Sequence, residues 1–239
     1  MSRLKRTIRR IQQQLEKRSI VRKDYQALWE SLSKRDDSRE YLLPKRSTEQ
    51  YEIEGQKEAE RLFSYYHPHS TVVEIGVGNG RILRYVARRA KKSIGIDVSR
   101  TYIREARRRL LHDERIGMIE FIHTTGRSIP LPDSSVDFIY SINTFLHLQS
   151  RDIARYCRET YRVLRKGGAF YFIVPNREAS YYTKSIQGGF VFDIDNNRIV
   201  RMIKKAGFSS YRIQKGRLVS YGDTLSEHEQ PEFICIGWC

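Results

Sequence analysis

The chain has 239 residues, of which 39% are hydrophobic and 11% aromatic, and this length suits one large globular domain with an appendage. It contains no apolar run approaching the ~18 residues of a membrane-spanning helix, and its three cysteines form no CxxC pair, so we expect neither a disulfide framework nor a zinc site. The net charge of +16 favours nucleic acid, anionic lipid or acidic partners, although the same excess can serve solubility alone.

The first segment is predicted to form a basic amphipathic helix. Four apolar residues recur there at spacings of four, three and four, which places them on one helical face: Leu4, Ile8, Ile11 and Leu15. Residues 1–23 carry nine basic side chains against one acidic side chain. This arm either packs on its own domain or on a second subunit, or it binds nucleic acid or an anionic membrane surface, and the residues leave these alternatives open.

A second helix is predicted from large apolar residues that share one face: Tyr25, Leu28, Trp29 and Leu32. These side chains either pack in the core or form a lid, in which case Tyr25 and Trp29 would contact the substrate. We therefore divide the chain into a basic N-terminal extension and lid, residues 1–47, and a main domain, residues 48–239. The N-terminus lacks the apolar region of a secretory signal, so we expect the protein in the cytoplasm.

Strands and helices alternate through the main domain. The sequence from Ser47 to Gln50 matches a capping box and opens a helix that we extend to about Tyr66. Further elements follow from the hydrophobic pattern: strands at about 72–75, 93–97, 118–122, 136–142, 168–174, 209–214 and 232–238, with helices after residue 80 and at about 99–112, 152–164 and 195–206. This alternation predicts an α/β fold, a Rossmann-like, doubly wound, seven-stranded and mostly parallel sheet with helices on both faces.

A long connection from residue 176 to 194 interrupts this alternation. It contains several aromatic residues that we expect to cap a substrate pocket: Tyr181, Tyr182, Phe190 and Phe192. Long loops in compact domains commonly carry function.

Glycines at alternate positions follow the first strand of the main domain: Gly76, Gly78 and Gly80. Glycine adopts positive φ angles and lets a ligand approach the backbone closely. The third glycine comes one residue too early for the dinucleotide pattern G-x-G-x-x-G. Asp97 ends the second strand about twenty residues further on, where a carboxylate can accept hydrogen bonds from ribose hydroxyls. The turn therefore predicts a ligand that contains a nucleoside.

Four stretches resemble, in the right order, the motifs of class I S-adenosylmethionine-dependent methyltransferases: Val73–Arg81, Gly95–Ser99, Gly126–Asp137 and Arg158–Gly168. Together they cover about residues 70–175. The resemblance implies a methyltransferase domain with S-adenosylmethionine as its cofactor.

The resemblance also implies which residues surround this cofactor: Glu74, Gly76, Val77, Gly78, Gly80, Asp97, Val98, Thr125, Gly126 and Ser141. Glu74 would hold the amino group and Asp97 the ribose, while Val98 would pack on the adenine. The backbone around Ser141 would close the methionine side. Thr125 stands where many relatives have aspartate, so a hydroxyl would replace a carboxylate beside the adenine.

Candidate catalytic residues are few, because methyl transfer mainly requires that the protein orient the acceptor and exclude water. His147 follows the fourth strand at the ligand end of the sheet and would act as a general base for a hydroxyl acceptor. Local packing is the more common role for such a histidine. Cys157 lies in a predicted amphipathic helix, a poor place for a nucleophile. No metal-binding spacing is present.

The leading hypothesis is methyl transfer to oxygen or nitrogen of a small molecule beneath the lid. One alternative is an RNA or protein methyltransferase that binds through the basic arm. The fourth strand lacks the Asn/Asp-Pro-Pro-aromatic motif of enzymes that methylate exocyclic amino groups of nucleic acids, which disfavours base methylation. Another alternative is a non-catalytic subunit that binds S-adenosylmethionine and docks a partner, and oligomerisation is also compatible with the sequence.

Overall fold

The computed structural model describes residues 25–34, 47–113, 116–175, 194–216 and 232–239. Its helices and strands, in chain order, are α1 (Tyr25–Ser33), α2 (Thr48–Leu62), β1 (Thr71–Ile75), α3 (Leu83–Val86), β2 (Lys92–Asp97), α4 (Arg100–Leu110), β3 (Met118–His123), β4 (Val136–Ser141), a 3₁₀ turn (Phe145–His147), α5 (Ser150–Val163), β5 (Leu164–Pro175), α6 (Asn196–Ala206), β6 (Ser210–Gly216) and β7 (Glu232–Trp238). The predicted basic helix of residues 1–23 and the insertion residues 176–193 lie outside the described residues.

The strands form one seven-stranded sheet in the order β3-β2-β1-β4-β5-β7-β6. Strand β1 lies between β2 and β4 and runs parallel to both. Strand β7 is antiparallel to β5 on one side and to β6 on the other. The order reverses at β1, so the carboxyl ends of β1, β2 and β4 meet at the edge where ligands bind in doubly wound sheets. The predicted α/β fold is confirmed.

Apolar side chains alternate between the two faces of the sheet, as strand geometry requires. Val72 packs in a cluster with residues of α2, α3 and α4, whereas Val73 packs in a second cluster with residues of α5 and α6. Phe138 and Ile139 of β4 divide in the same way. Helices therefore cover both faces, and the carboxyl edge of the sheet lies between the two layers.

Local capping signals form as the sequence indicates. The Ser47 hydroxyl accepts from the Gln50 N–H at 3.1 Å, and the Ser47 N–H donates to the Gln50 side chain at 3.2 Å, which completes the capping box. Helix α2 ends at Leu62 rather than at the expected Tyr66. Tyr66 instead packs its ring on Phe138 of the sheet, with ring centroids 5.7 Å apart, so a long-range contact replaces the last helical turn.

The helix after the glycine turn is much shorter than expected. Only Leu83–Val86 forms α3, because hydrogen bonds between residues three apart alternate with bonds between residues four apart around it. The predicted buried stripe is nevertheless present, since Ile82, Leu83, Val86 and Ala87 are all buried. A helix this short provides almost no dipole to the turn, so ligand binding there depends on the turn's own groups and on side chains.

None of the helices within the described ranges is long and apolar enough to cross a membrane. The proposed boundary between an extension and a main domain at residues 47 and 48 stays a prediction.

Candidate functional site

The glycine turn is held against the neighbouring strands by backbone contacts. The N–H groups of Gly76 and Val77 both donate to the carbonyl of Ile96, at 2.7 and 3.1 Å. Gly76 has a φ of 78°, and a Cβ atom there would lie 1.9 Å from Thr144 Oγ1. A side chain at position 76 would therefore require both a strained backbone and a displacement of the loop after β4.

Asp97 links the end of β2 to this turn. Its Oδ2 accepts the Gly78 N–H and its Oδ1 accepts the Ser99 N–H, both at 2.8 Å. Burial raises the pKa of the Asp97 carboxyl to about 6, although the backbone hydrogen bonds oppose this effect. Each carboxylate oxygen has a further lone pair. The Asp97 carboxylate can therefore accept a ribose hydroxyl without breaking the bonds that orient it.

Glu74 and Arg81 place a buried acidic group and a buried basic group beside the turn. Glu74 is buried, and the Tyr140 hydroxyl donates to its Oε2 at 2.8 Å. Burial raises the pKa of Glu74 to about 8, while Tyr140 and the charge of Arg81 lower it. Arg81 is buried as well, and its Nη1 has no hydrogen-bond partner in the described part of the chain. This pair is chemically suited to the ammonium and the carboxylate of an amino acid ligand.

The predicted adenine side is formed by the loops after β2 and β3. Gly126 has a φ of 75°, and a Cβ atom there would lie 3.1 Å from Val98 Cγ1, so the missing side chain leaves space beside Val98. Thr125 is exposed, whereas the buried Thr124 holds this loop. Thr124 donates its N–H to the Asp97 carbonyl at 2.9 Å, and its hydroxyl accepts the Gly126 N–H at 3.3 Å. Sequence reasoning overlooked Thr124.

Three predicted cofactor residues have evident packing roles. A Cβ atom at Gly80 would lie 2.9 Å from Leu110, so this glycine allows α4 to approach the turn. Val77 is buried in the core cluster that includes α3 and α4. Ser141 is buried, and its hydroxyl donates to the Ile75 carbonyl at 3.1 Å. Their contacts with a cofactor stay predictions.

Helix α1 crosses the carboxyl ends of several strands. Trp29 packs edge-on against His147, with ring centroids 5.0 Å apart, in the loop that follows β4. Gln26 lies 3.1 Å from a ring nitrogen of His123, at the end of β3. Glu30 accepts hydrogen bonds from residues after β2. Two predicted residues, Trp29 and His147, are thus brought together.

Of the remaining predicted substrate residues, Tyr25 is within the described part of the chain and is the first residue of α1. Tyr181, Tyr182 and Phe190 lie outside the described residues.

Asn143 was missed by the sequence reasoning. It follows β4 with a φ of 63°, a left-handed conformation that costs energy for a residue other than glycine. Its Oδ1 is buried and has no hydrogen-bond partner among the described residues. Strain and an unsatisfied amide at one position indicate a functional role. Asparagine tolerates this conformation better than most residues, but the letter alone does not reveal the missing partner.

Two other chemistries find little support at this edge. Cys157 is fully buried, and burial raises the pKa of its thiol to about 12, so a reactive thiolate is disfavoured. Across the residues that the structure describes, no three His, Cys, Asp or Glu side chains come close enough together to hold a metal ion.

Comparison with known proteins extends this description. Residues 73–172 match the methyltransferase domain family. A Mycolicibacterium smegmatis protein named "Probable S-adenosylmethionine-dependent methyltransferase" is 33% identical over 106 residues, which cover 44% of this chain and 38% of that protein. A sarcosine/dimethylglycine N-methyltransferase of Halorhodospira halochloris is 32% identical over 110 residues, 45% of this chain and 38% of that protein. The chain thus spans about two fifths of the length of these relatives.

Solved structures share the fold. A Methanosarcina mazei S-adenosylmethionine-dependent methyltransferase superposes with a TM-score of 0.61 at 19% identity, covering 74% of this chain and 96% of the other. A Haloferax volcanii protein solved in complex with the Trm112 methyltransferase activator gives a TM-score of 0.61 at 16% identity, covering 80% and 90%.

The motif order, the sheet topology, the carboxylates at the ends of β1 and β2 and the family match agree with one another. The glycine turn, the Glu74–Arg81 pair and the space beside Val98 fit S-adenosylmethionine, which is the cofactor of this family. In its motif order, its sheet topology and the match of residues 73–172 to the methyltransferase domain family, the chain is therefore similar to the class I S-adenosylmethionine-dependent methyltransferases.

Proposed function

We propose that the chain is an enzyme that transfers a methyl group from S-adenosylmethionine to an oxygen or nitrogen atom of a small-molecule acceptor. The observation that carries this proposal is the position of α1, which contacts the end of β3 and residues after β2 and β4 and so covers the edge where the acceptor must approach. A covered edge suits a small acceptor that is enclosed, because closure excludes water and fixes the geometry of attack.

The protein's part in the reaction is mainly positional. Bound S-adenosylmethionine supplies a methyl group that its sulfonium already activates. Asp97 and the glycine turn would hold the nucleoside and methionine parts, while Asn143 and the Trp29–His147 pair would border the acceptor. A hydroxyl acceptor must also lose a proton, and the His147 imidazole is the candidate base.

The direct test measures formation of S-adenosylhomocysteine with a panel of small alcohols, phenols and amines, and with purified RNA as a separate acceptor. We expect turnover with a member of the small-molecule panel. Transfer to RNA alone would contradict the proposal. Once an acceptor is found, His147→Asn tests the base, because unchanged turnover at saturating substrate removes His147 from the mechanism. Trp29→Phe is the matched control for altered packing on the ring.

A second candidate function, methylation of RNA or of a protein bound to it, is favoured by one surface. A groove of about 200 Å³ between α5 and α6 has an apolar floor and four basic residues along it: Arg158, Arg198, Arg201 and Lys205. None of the four forms an ion pair within the described ranges. Such unpaired cations attract polyanions.

Charge reversal in this groove separates the two candidates. Arg201→Glu should weaken RNA binding and make its dependence on salt less steep if the groove binds phosphates, because fewer counterions are released. Lys91→Glu makes the same change in net charge at another exposed position and serves as the control. If the two variants weaken RNA binding equally, the groove is not the site that binds RNA. The third possibility, a non-catalytic partner subunit, has no specific structural observation in its favour, and the curated relatives are named as methyltransferases.

A further inference from the structure

We propose that Glu30 is a positioning residue that acts through Ser99 on the ribose-binding carboxylate of Asp97. By this contact Glu30 couples lid helix α1 to cofactor binding. Glu30 lies about seventy residues before the groups that it contacts and belongs to none of the four motifs.

Glu30 binds the start of α4 with both carboxylate oxygens. Its Oε1 accepts the Thr101 hydroxyl at 2.8 Å. Its Oε2 accepts the Ser99 hydroxyl at 2.9 Å and the Thr101 N–H at 3.2 Å. Lys34 Nζ lies 3.4 Å from Oε1, on the exposed side of the helix. Three hydrogen bonds from one neighbouring segment to an ionised side chain form a stronger link than an exposed ion pair.

Ser99 connects this link to the cofactor site. Its hydroxyl caps α4 by accepting the Tyr102 N–H at 3.2 Å while it donates to Glu30. The hydroxyl of Ser33, from the end of α1, lies 2.8 Å from the same oxygen. The Ser99 N–H donates to Asp97 Oδ1 at 2.8 Å. Ser99 therefore contacts the lid helix through its side chain and orients the ribose-binding carboxylate through its backbone N–H.

The chain of contacts continues into the glycine turn, because Asp97 Oδ2 accepts the Gly78 N–H. Glu30, Ser99, Asp97 and Gly78 thus form a continuous path from α1 to the backbone predicted to lie beside the methionine. When Glu30 engages Ser99, the Asp97 carboxylate is held in one orientation. A ribose that binds Asp97 will in turn favour the engaged position of α1, because coupling between two contacts is reciprocal.

Glu30→Gln is the informative substitution. It keeps the length of the side chain but replaces one acceptor oxygen with an NH₂ group, which cannot accept from Ser99 or Thr101. Calorimetric titration with S-adenosylhomocysteine should show an affinity about tenfold weaker than that of the wild type, the usual consequence of losing a charged hydrogen bond. Lys34→Ala removes the ion pair but leaves the three hydrogen bonds, and it should stay within about twofold of the wild type.

A ligand lacking the 2′-hydroxyl tests whether the effect passes through Asp97. The wild type should bind 2′-deoxy-S-adenosylhomocysteine about tenfold more weakly than the parent ligand, whereas in Glu30→Gln this ratio should fall to about twofold. A general loss of stability would weaken the binding of both ligands alike and would leave the ratio of their affinities unchanged. Urea unfolding of each variant without ligand fixes the folded fraction used in the titrations.

Two results would overturn the proposal. An unchanged ratio between the two ligands in Glu30→Gln means that Glu30 does not act through the ribose contact, even if overall affinity falls. Unchanged affinity for both ligands means that α1 is not coupled to the cofactor at all. Failure of the wild-type protein to bind S-adenosylhomocysteine is a different outcome, which removes the cofactor assignment itself.

Discussion

The buried Glu74 should make the stability of the ligand-free protein depend on pH in an unusual direction. Most acidic groups in proteins are ionised more readily when folded, and they stabilise the fold as pH rises. Glu74 behaves oppositely, because burial raises the pKa of its carboxyl from 4.5 to about 8. The folded chain therefore keeps this proton between pH 4.5 and about 8, while the unfolded chain has released it.

The magnitude follows from these two pKa values. The stabilisation is fully present below pH 4.5 and is lost as pH rises through the folded pKa. Between pH 5 and 8 the loss integrates to roughly 3 to 4 kcal/mol, since each unit of difference in pKa corresponds to about 1.4 kcal/mol. Glu74→Gln keeps the shape and an acceptor for the Tyr140 hydroxyl but does not titrate, so it should lack this loss.

Urea unfolding at steps of one pH unit from pH 5 to 9 measures the effect as the difference in the free energy of unfolding between wild type and Glu74→Gln. Asp97 also has a raised pKa, about 6, but it is present in both proteins and cancels in the difference. We expect the variant to become more stable relative to the wild type by about 4 kcal/mol across this range. A difference that stays constant with pH would show that the Glu74 carboxyl is ionised in the fold, and it would refute the reasoning.

Three further predictions concern single positions. Ser47→Ala removes the hydroxyl that accepts the Gln50 N–H in the capping box and should lower the free energy of unfolding by about 1 kcal/mol in urea, whereas Ser64→Ala, at an exposed serine, should change it little. Gly76→Ala should abolish calorimetric binding of S-adenosylhomocysteine, because its Cβ would meet Thr144 and its φ is positive; retained affinity would show that the turn adapts. Asn143→Gly should leave the thermal midpoint unchanged or higher, since it relieves strain and an unpaired amide, while turnover falls; a lower midpoint with full turnover would assign Asn143 to structure alone.

Local signals in the sequence gave the most accurate predictions. The capping box at Ser47 and the bounds of β7 depend on residues close together in the chain, and both agree with the structure. The family prediction succeeded because four motifs occur in order, and their spacing reflects one chain path through the sheet. The predicted length of α3 was wrong because helical periodicity does not distinguish a regular helix from successive turns that bury the same side chains.

The parts of the site that the sequence did not reveal depend on contacts between distant segments. The partners of Glu30 lie about seventy residues away, and its helical neighbours give no indication of them. Thr125 was selected from its position in a motif, yet the adjacent Thr124 makes the contacts, because only the path of the loop decides which hydroxyl faces inward. The unpaired amide of Asn143 becomes visible only when every neighbour is placed.

Strand β7 follows β5 and β6 in the chain but lies between them in the sheet. During synthesis, the five parallel strands β1 to β5 can pair as they emerge from the ribosome. Strand β6, in contrast, lacks its neighbour in the described sheet until residues 232–238 have been translated. Until then β5 presents an unpaired edge, a template for incorrect pairing with other nascent chains. Nonsense mutations between residues 176 and 231 should therefore cause aggregation even though every cofactor motif has already been made.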